Sequence, residues 1–135
     1  MADDNTMGEE RLARIVRAMR IEPGDRILEI GCGFGVSSTL ICQQLTTGFY
    51  LAIDRSATSI RAAMKRNAAY IEAGRAAFEV ADFKSFDPGP RLFDRILAVR
   101  VRAFHVDPAA SRERVQRWLA PGGQLFIEYD EPTRR

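Results

Sequence analysis

Between Arg26 and Val36 the chain reads Arg-Ile-Leu-Glu-Ile-Gly-Cys-Gly-Phe-Gly-Val. An apolar run of strand character carries Glu29 near its end, breaks into Gly31, Gly33 and Gly35, and gives way to a helical pattern opening at Ser37. The order is strand, bare turn, helix start. Glycine lacks a Cβ, so such a turn can take positive φ and a ligand can lie against the backbone itself. The helix start beyond it offers N–H groups that have no partner within the helix.

Upstream, Leu12, Ile15, Val16 and Met19 recur at helical spacing, with Thr6 and Glu9 placed as a capping box. Pro23-Gly24-Asp25 turns the chain into the first strand. Beyond the glycines, Leu40, Ile41 and Leu45 predict a short helix that stops near Gly48. Phe49 to Ile53 is a second apolar run and ends on Asp54. Ser56 caps a long helix with Ile60, Ala63, Met64, Asn67, Ala68 and Ile71 on one side and Gly74 as its stop. A third run, Ala77 to Val80, ends near Asp82, and Lys84 to Arg91 with Pro88-Gly89-Pro90 reads as a loop. Phe93 to Val99 is a fourth strand, with an extension to Val101 compatible with the pattern. Asp107-Pro108 starts a helix buried through Val115, Trp118 and Leu119. Pro121-Gly122-Gly123 punctuates before a fifth strand, Gln124 to Tyr129.

Short apolar strands alternating with helices imply βαβ units and a parallel sheet covered on both faces. Ligands then collect outside the carboxyl ends of the strands, near the switch point beside the first strand. Glu29 to Gly35, Asp54, Asp82, the Arg100 region and Tyr129-Asp130 all fall at such ends.

The 135 residues suit a single domain, with an N-terminal helix over 1–22 and a core over 23–130. The net charge of +2 is spread without a basic block, which argues against nucleic acid as partner. Cys32 and Cys42 have no further cysteine or histidine at metal-ligand spacing, so neither a disulfide nor a metal site is expected. The first twenty residues lack a secretory core and no run is long enough to span a membrane, so a cytoplasmic protein without membrane attachment is expected.

A dinucleotide site of the Gly-x-Gly-x-x-Gly type would need its third glycine at position 36, where Val36 stands. A different ligand fits the rim better. Asp54 ends the second strand where a carboxylate can accept from both hydroxyls of a ribose, and Asp82 with Phe83 can meet the edge and face of an adenine. The residues Glu29-Ile-Gly-Cys-Gly-Phe-Gly35 resemble the first motif of the class I S-adenosylmethionine-dependent methyltransferases. Leu119-Ala120-Pro121-Gly122-Gly123-Gln124-Leu125 resembles the leucine-x-proline-glycine-glycine motif before their fifth strand, and the likeness runs over roughly residues 20 to 130.

The resemblance implies a Rossmann-like, doubly wound α/β fold with a mainly parallel sheet of about five strands in the order 3-2-1-4-5 and helices on both faces. The family's usual strands 6 and 7 are expected to be lacking, which leaves the fifth strand as an edge. An unusually small enzyme, a homodimer joined through that edge, or a piece of a longer chain each accommodates this. By the same resemblance, Gly31, Gly33 and Gly35 would line the methionine and ribose portions of S-adenosylmethionine, with Glu29 supporting the amino group or the turn. Asp54 would hold the ribose, Arg55 and Ile60 would flank the adenine, Asp82 and Phe83 would address its amino edge, and Val99 would run along the ligand.

The function this implies is methyl transfer to an oxygen or nitrogen of a small-molecule acceptor, with S-adenosylhomocysteine as product. A non-catalytic S-adenosylmethionine-binding module, acting as sensor or partner subunit, is the alternative. In-line transfer from a sulfonium needs no metal, only alignment and removal of the acceptor's proton where it has one. His105 is the candidate general base. Arg100 and Arg102 alternate with Val99, Val101 and Ala103, so they would share a face and suit an anionic acceptor group; an exposed strand end, or Arg100 filling part of the acceptor pocket and blocking catalysis, fits the same pattern. Tyr129, with Asp130 and Glu131, would line the far side of the acceptor pocket.

Overall fold

The computed structural model describes residues 4–128, and the side chains from Gly8 onward. Its elements run α1 (Asp4–Met19), β1 (Arg26–Ile30), α2 (Val36–Cys42), β2 (Phe49–Asp54), α3 (Ala57–Arg66), α4 (Ala68–Glu72), β3 (Ala76–Val80), β4 (Phe93–Val99), α5 (Arg102–Val106), α6 (Pro108–Gln116) and β5 (Leu119–Glu128). The strands form one sheet in the order β3-β2-β1-β4-β5, as expected, and every described pairing is parallel. The order reverses between β1 and β4, so the chain leaves β1 toward one face of the sheet and leaves β4 toward the other.

Period-two alternation along β1 sends Ile27 into one core and Leu28 and Ile30 into the other. The first core joins Val16 and Met19 of α1, Ile41 of α2, Tyr50, Ile60 of α3 and Leu97. The second joins Leu51, Ile53, Ile96, Phe104 of α5, Val115 of α6 and Trp118. Covering on both faces is why the strands read as continuous apolar runs. At the amino end of the sheet, Arg95 donates from Nε to the Met19 carbonyl at 2.7 Å and its guanidinium pairs with the buried Asp25. That contact holds the end of α1 to β4, where Arg20 at φ 53 stops the helix.

Several boundaries differ from the sequence expectation. The helix α1 is already under way at Asp4, so Thr6 lies within it and does not cap it. The long helix expected from Ser56 to Gly74 breaks at Asn67, whose φ of −112° separates α3 from α4. The strand β4 stops at Val99 and does not reach Val101, because Arg100 takes φ 58 and turns the chain out of the sheet. Arg102 then opens α5, so Arg100 and Arg102 do not alternate on a strand. Pro121-Gly122-Gly123 lies inside β5: pairing with β4 begins at Phe93 opposite Leu119 and resumes at Arg95 opposite Gln124, with the intervening residues bulged. Tyr129, Asp130 and Glu131 lie outside the described residues.

Leu97 is fully buried on the central strand pair, whereas Val80 at the end of the edge strand β3 is 55% exposed. Leu97→Ala is expected to cost about 2–5 kcal/mol in urea unfolding, and Val80→Ala less than about 0.5 kcal/mol.

Candidate functional site

The glycine turn continues the hydrogen bonding of the sheet for one step. Gly31 and Cys32 donate from their N–H groups to the Ile53 carbonyl, at 2.8 and 3.3 Å, which holds the turn at the end of β2. Gly31, Gly33 and Gly35 take φ of 78, 58 and 91°, values that cost any L-residue with a Cβ roughly 1–2 kcal/mol. Their surroundings differ. A Cβ on Gly33 would meet nothing, so bare backbone faces the open cleft. A Cβ on Gly35 would fall 2.8 Å from the Ala63 Cα, so this glycine lets α2 start against α3 and does not line the cleft.

The cleft, of about 790 Å³, lies over the carboxyl ends of β1, β2, β3 and β4 and is closed on one side by α5 and α6. Its volume is toward the upper end of the usual range for small-molecule sites. Gly31, Gly33, Asp54, Arg55, Asp82, Phe83, Val99 and Arg100 all line it, so most of the sequence-derived site residues come together. Asp54 accepts from the Gly33 N–H on Oδ2 and from the Ser56 N–H on Oδ1, both at 2.9 Å. Ser56 in turn caps α3 by accepting from the Ser59 N–H at 3.1 Å. Asp82 is exposed and accepts from the Lys84 N–H at 2.9 Å on Oδ1. The Phe83 ring packs against Phe104 and Trp118, at 5.1 and 5.9 Å between centroids, and forms the floor of this region.

Other expected residues sit elsewhere. Glu29 is buried beneath the turn and does not line the cleft: its Oε2 accepts from Ser37 Oγ at 2.6 Å and its Oε1 from Tyr50 OH at 2.7 Å. It therefore supports the turn and α2 from inside the protein. Ile60 points into the core and is also absent from the cleft wall. His105 is on α5, exposed and outside the cleft lining, and not on a loop over the site. Tyr129 falls outside the described residues.

Two side chains important to the site carried little sequence signal. Arg114 of α6 donates from Nε to the Phe83 carbonyl at 3.1 Å and from Nη2 to the Phe86 carbonyl at 2.8 Å. Its guanidinium also lies over the Phe83 and Trp118 rings. It ties the loop after β3 to α6, and nothing distinguishes it in sequence from its arginine neighbours. Asn67, read as one position on a helix face, instead ends α3 and reaches the glycine turn. An asparagine among alanines in a helical run is the signal that could have found it, because its side chain competes for backbone partners.

A sequence model described as a methyltransferase domain matches residues 27–123, from β1 into the bulge of β5. The chain belongs to the methyltransferase domain family. Its sheet order and glycine turn are those of the Rossmann-like class I S-adenosylmethionine-dependent methyltransferases. This methyltransferase domain is 28% identical over 127 residues to phosphoethanolamine N-methyltransferase 1 of Zea mays, a match covering 91% of this chain and 24% of that protein. It is 32% identical over 121 residues to the protein-L-isoaspartate O-methyltransferase of Methylorubrum populi, covering 90% and 52%. A SAM-dependent methyltransferase from Geobacter sulfurreducens, solved in complex with S-adenosyl-L-homocysteine, superposes with a TM-score of 0.74 at 25% identity, over 87% of this chain and 47% of that one. The chain thus spans about a quarter to a half of the length of these relatives.

Electrostatics separates the acids of the methyltransferase domain. Burial pushes Glu29 up to about 7, against the opposing hydrogen bonds from Ser37 and Tyr50 and with a further upward push from Asp54. Burial likewise raises the Cys32 thiol far above its usual range, with the negative charges of Glu29 and Asp54 adding to the effect, which leaves it unsuited as a nucleophile. Between about pH 4.5 and 7 the folded domain retains a proton on Glu29 that the unfolded chain releases, so stability falls as pH rises through that window. Glu29→Gln is expected to remove that slope. Denaturant unfolding between about pH 5 and pH 8 should show wild type losing on the order of 2–3 kcal/mol relative to the variant.

Proposed function

We propose that this methyltransferase domain binds S-adenosylmethionine in the cleft and transfers its methyl group to an oxygen or nitrogen of a small-molecule acceptor, releasing S-adenosylhomocysteine. The observation that carries the reading is the placement of Asp54 against the glycine turn. Each carboxylate oxygen accepts one backbone N–H and keeps capacity for a further hydrogen bond, and Asp54 borders the cleft. A pair of such acceptors matches the vicinal hydroxyls of a ribose. The backbone at Gly31 and Gly33, both on the cleft wall, is where the neighbouring methionine portion would lie: a Cβ at Gly33 would meet nothing, whereas the Cβ position of Gly31 is already approached by Val101 Cγ2 at 3.0 Å. Asp82 retains Oδ2 for the amino edge of an adenine, and Phe83 and Val99 supply apolar surface beside it.

When bound, the cofactor supplies a methyl carbon activated by the adjacent sulfonium. The protein's part is to align the acceptor and exclude water. Arg100 and Arg102 both stand on the cleft wall after β4, which favours an acceptor that carries a carboxylate or phosphate. His105 stands outside that wall, so it is not assigned the role of base.

Titration calorimetry with S-adenosylmethionine, S-adenosylhomocysteine and NAD tests the cofactor. The first two should bind and NAD should not. Asp54→Ala should weaken S-adenosylhomocysteine binding by about 1–3 kcal/mol, that is roughly 5- to 150-fold; an unchanged affinity would remove Asp54 from the site. An acceptor screen that follows release of S-adenosylhomocysteine tests turnover. Acceptors with a carboxylate should outperform their neutral amides, and that preference should shrink in Arg102→Gln.

A further inference from the structure

We infer that Asn67 is a positioning residue for the cofactor turn, although it touches no part of the cleft itself. The inference rests on the proposed S-adenosylmethionine site. Asn67 is 1% exposed, and all of its amide's polar atoms are engaged. Nδ2 donates to the Gly35 carbonyl at 3.1 Å and to the Ala63 carbonyl at 2.9 Å, while Oδ1 accepts from Thr39 Oγ1 at 2.7 Å. The Gly35 carbonyl is also the first acceptor of α2, taking the Thr39 N–H at 3.2 Å. One buried amide therefore joins the end of α3, the last glycine of the turn and the first turn of α2.

The neighbouring positions of the turn are held in the same way. The Gly33 N–H goes to Asp54 Oδ2 at 2.9 Å, and the Phe34 carbonyl accepts from Arg66 Nε at 3.2 Å. Three consecutive residues in left-handed or solvent-facing backbone are thus fixed by side chains from β2 and from the last residues before the helix break. Glycine turns lose the most conformational freedom on ordering, so a turn left loose would have to be ordered by the ligand at the expense of affinity. The break between α3 and α4 fits the same role. Its backbone N–H closes the last turn of α3 on the Ala63 carbonyl at 3.0 Å, its side chain donates to that carbonyl and to Gly35, and its φ of −112° marks the point where the helix breaks.

Asn67→Asp is close to isosteric. It keeps an oxygen for Thr39 and removes both donors, whereas Asn67→Ala removes the side chain. Phe93→Ala, buried at the amino end of β4 in the opposite core from Asn67 and absent from the cleft lining, serves as a destabilised control. At a temperature where all variants are folded, both Asn67 variants should bind S-adenosylhomocysteine about tenfold more weakly than wild type, and Phe93→Ala should stay within about twofold. Hydrogen exchange on the ligand-free proteins should show the Gly33 and Gly35 amides accelerated in the Asn67 variants and unchanged in Phe93→Ala. Equal affinity of the Asn67 variants and wild type, or an equal loss in Phe93→Ala, would overturn the inference. Failure of wild type to bind would instead overturn the cofactor assignment, and the exchange measurement would still decide whether Asn67 holds the turn.

Discussion

Because β1 is covered on both faces from Ile27 to Ile30, no polar group there can leave it sideways into water, and this constraint arranges everything around it. A buried acid on such a strand must find its donors inside the protein. Glu29 does so with Ser37 and Tyr50, and Ser38 Oγ extends the group at 2.6 Å from Tyr50 OH. The cleft lies instead at the carboxyl end, where Gly31 and Gly33 present no side chain of their own to a ligand.

Two acids one β-unit apart are assigned different work by their surroundings. Glu29, wholly buried, is driven toward its neutral form and holds α2 to β2 from beneath. Asp54, half-buried, is bracketed by two backbone donors and borders the cleft. The sequence resemblance grouped both as cofactor residues, since each follows or ends an apolar run. What separates them is depth, which a motif does not encode. Gly35 parted from Gly31 and Gly33 for a related reason: all need positive φ, but only the first two have the cleft beside them, while Gly35 has α3.

The apolar runs and end signals made the five strands and the Ser56 and Asp107 caps legible, and the strand order came with the family resemblance; Val115 lies on α6 as expected, whereas Trp118 and Leu119 fall beyond its end, Leu119 opening β5. Contacts across long sequence separations were not. Asn67 meets Gly35 across 32 positions and Arg114 meets Phe83 across 31, and neither has a spacing that would mark it in one dimension. The backbone at Arg100 was hidden too. A bulky residue at φ 58 is uncommon, and an alternation of arginine with valine reads naturally as strand.

Arg114 shows how a short helix can close a cleft that a long loop would otherwise leave loose. The segment from Phe83 to Leu92 contains no helix or strand, so no ladder satisfies its carbonyls. A guanidinium can satisfy the Phe83 and Phe86 carbonyls at once and lay its flat face on aromatic rings, which a lysine ammonium cannot do in one geometry. Phe83 is then held from both sides, by Phe104 and Trp118 through its ring and by Arg114 through its backbone. The floor of the cleft beside Asp82 is consequently set by α6, whose own position depends on the Ser111 hydroxyl donating to the Ala103 carbonyl at 2.9 Å and on the Asp107 cap. The wall after β4 and the floor after β3 are in this way one packed unit, and a side chain that disturbs α6 disturbs the region assigned to the adenine without touching it.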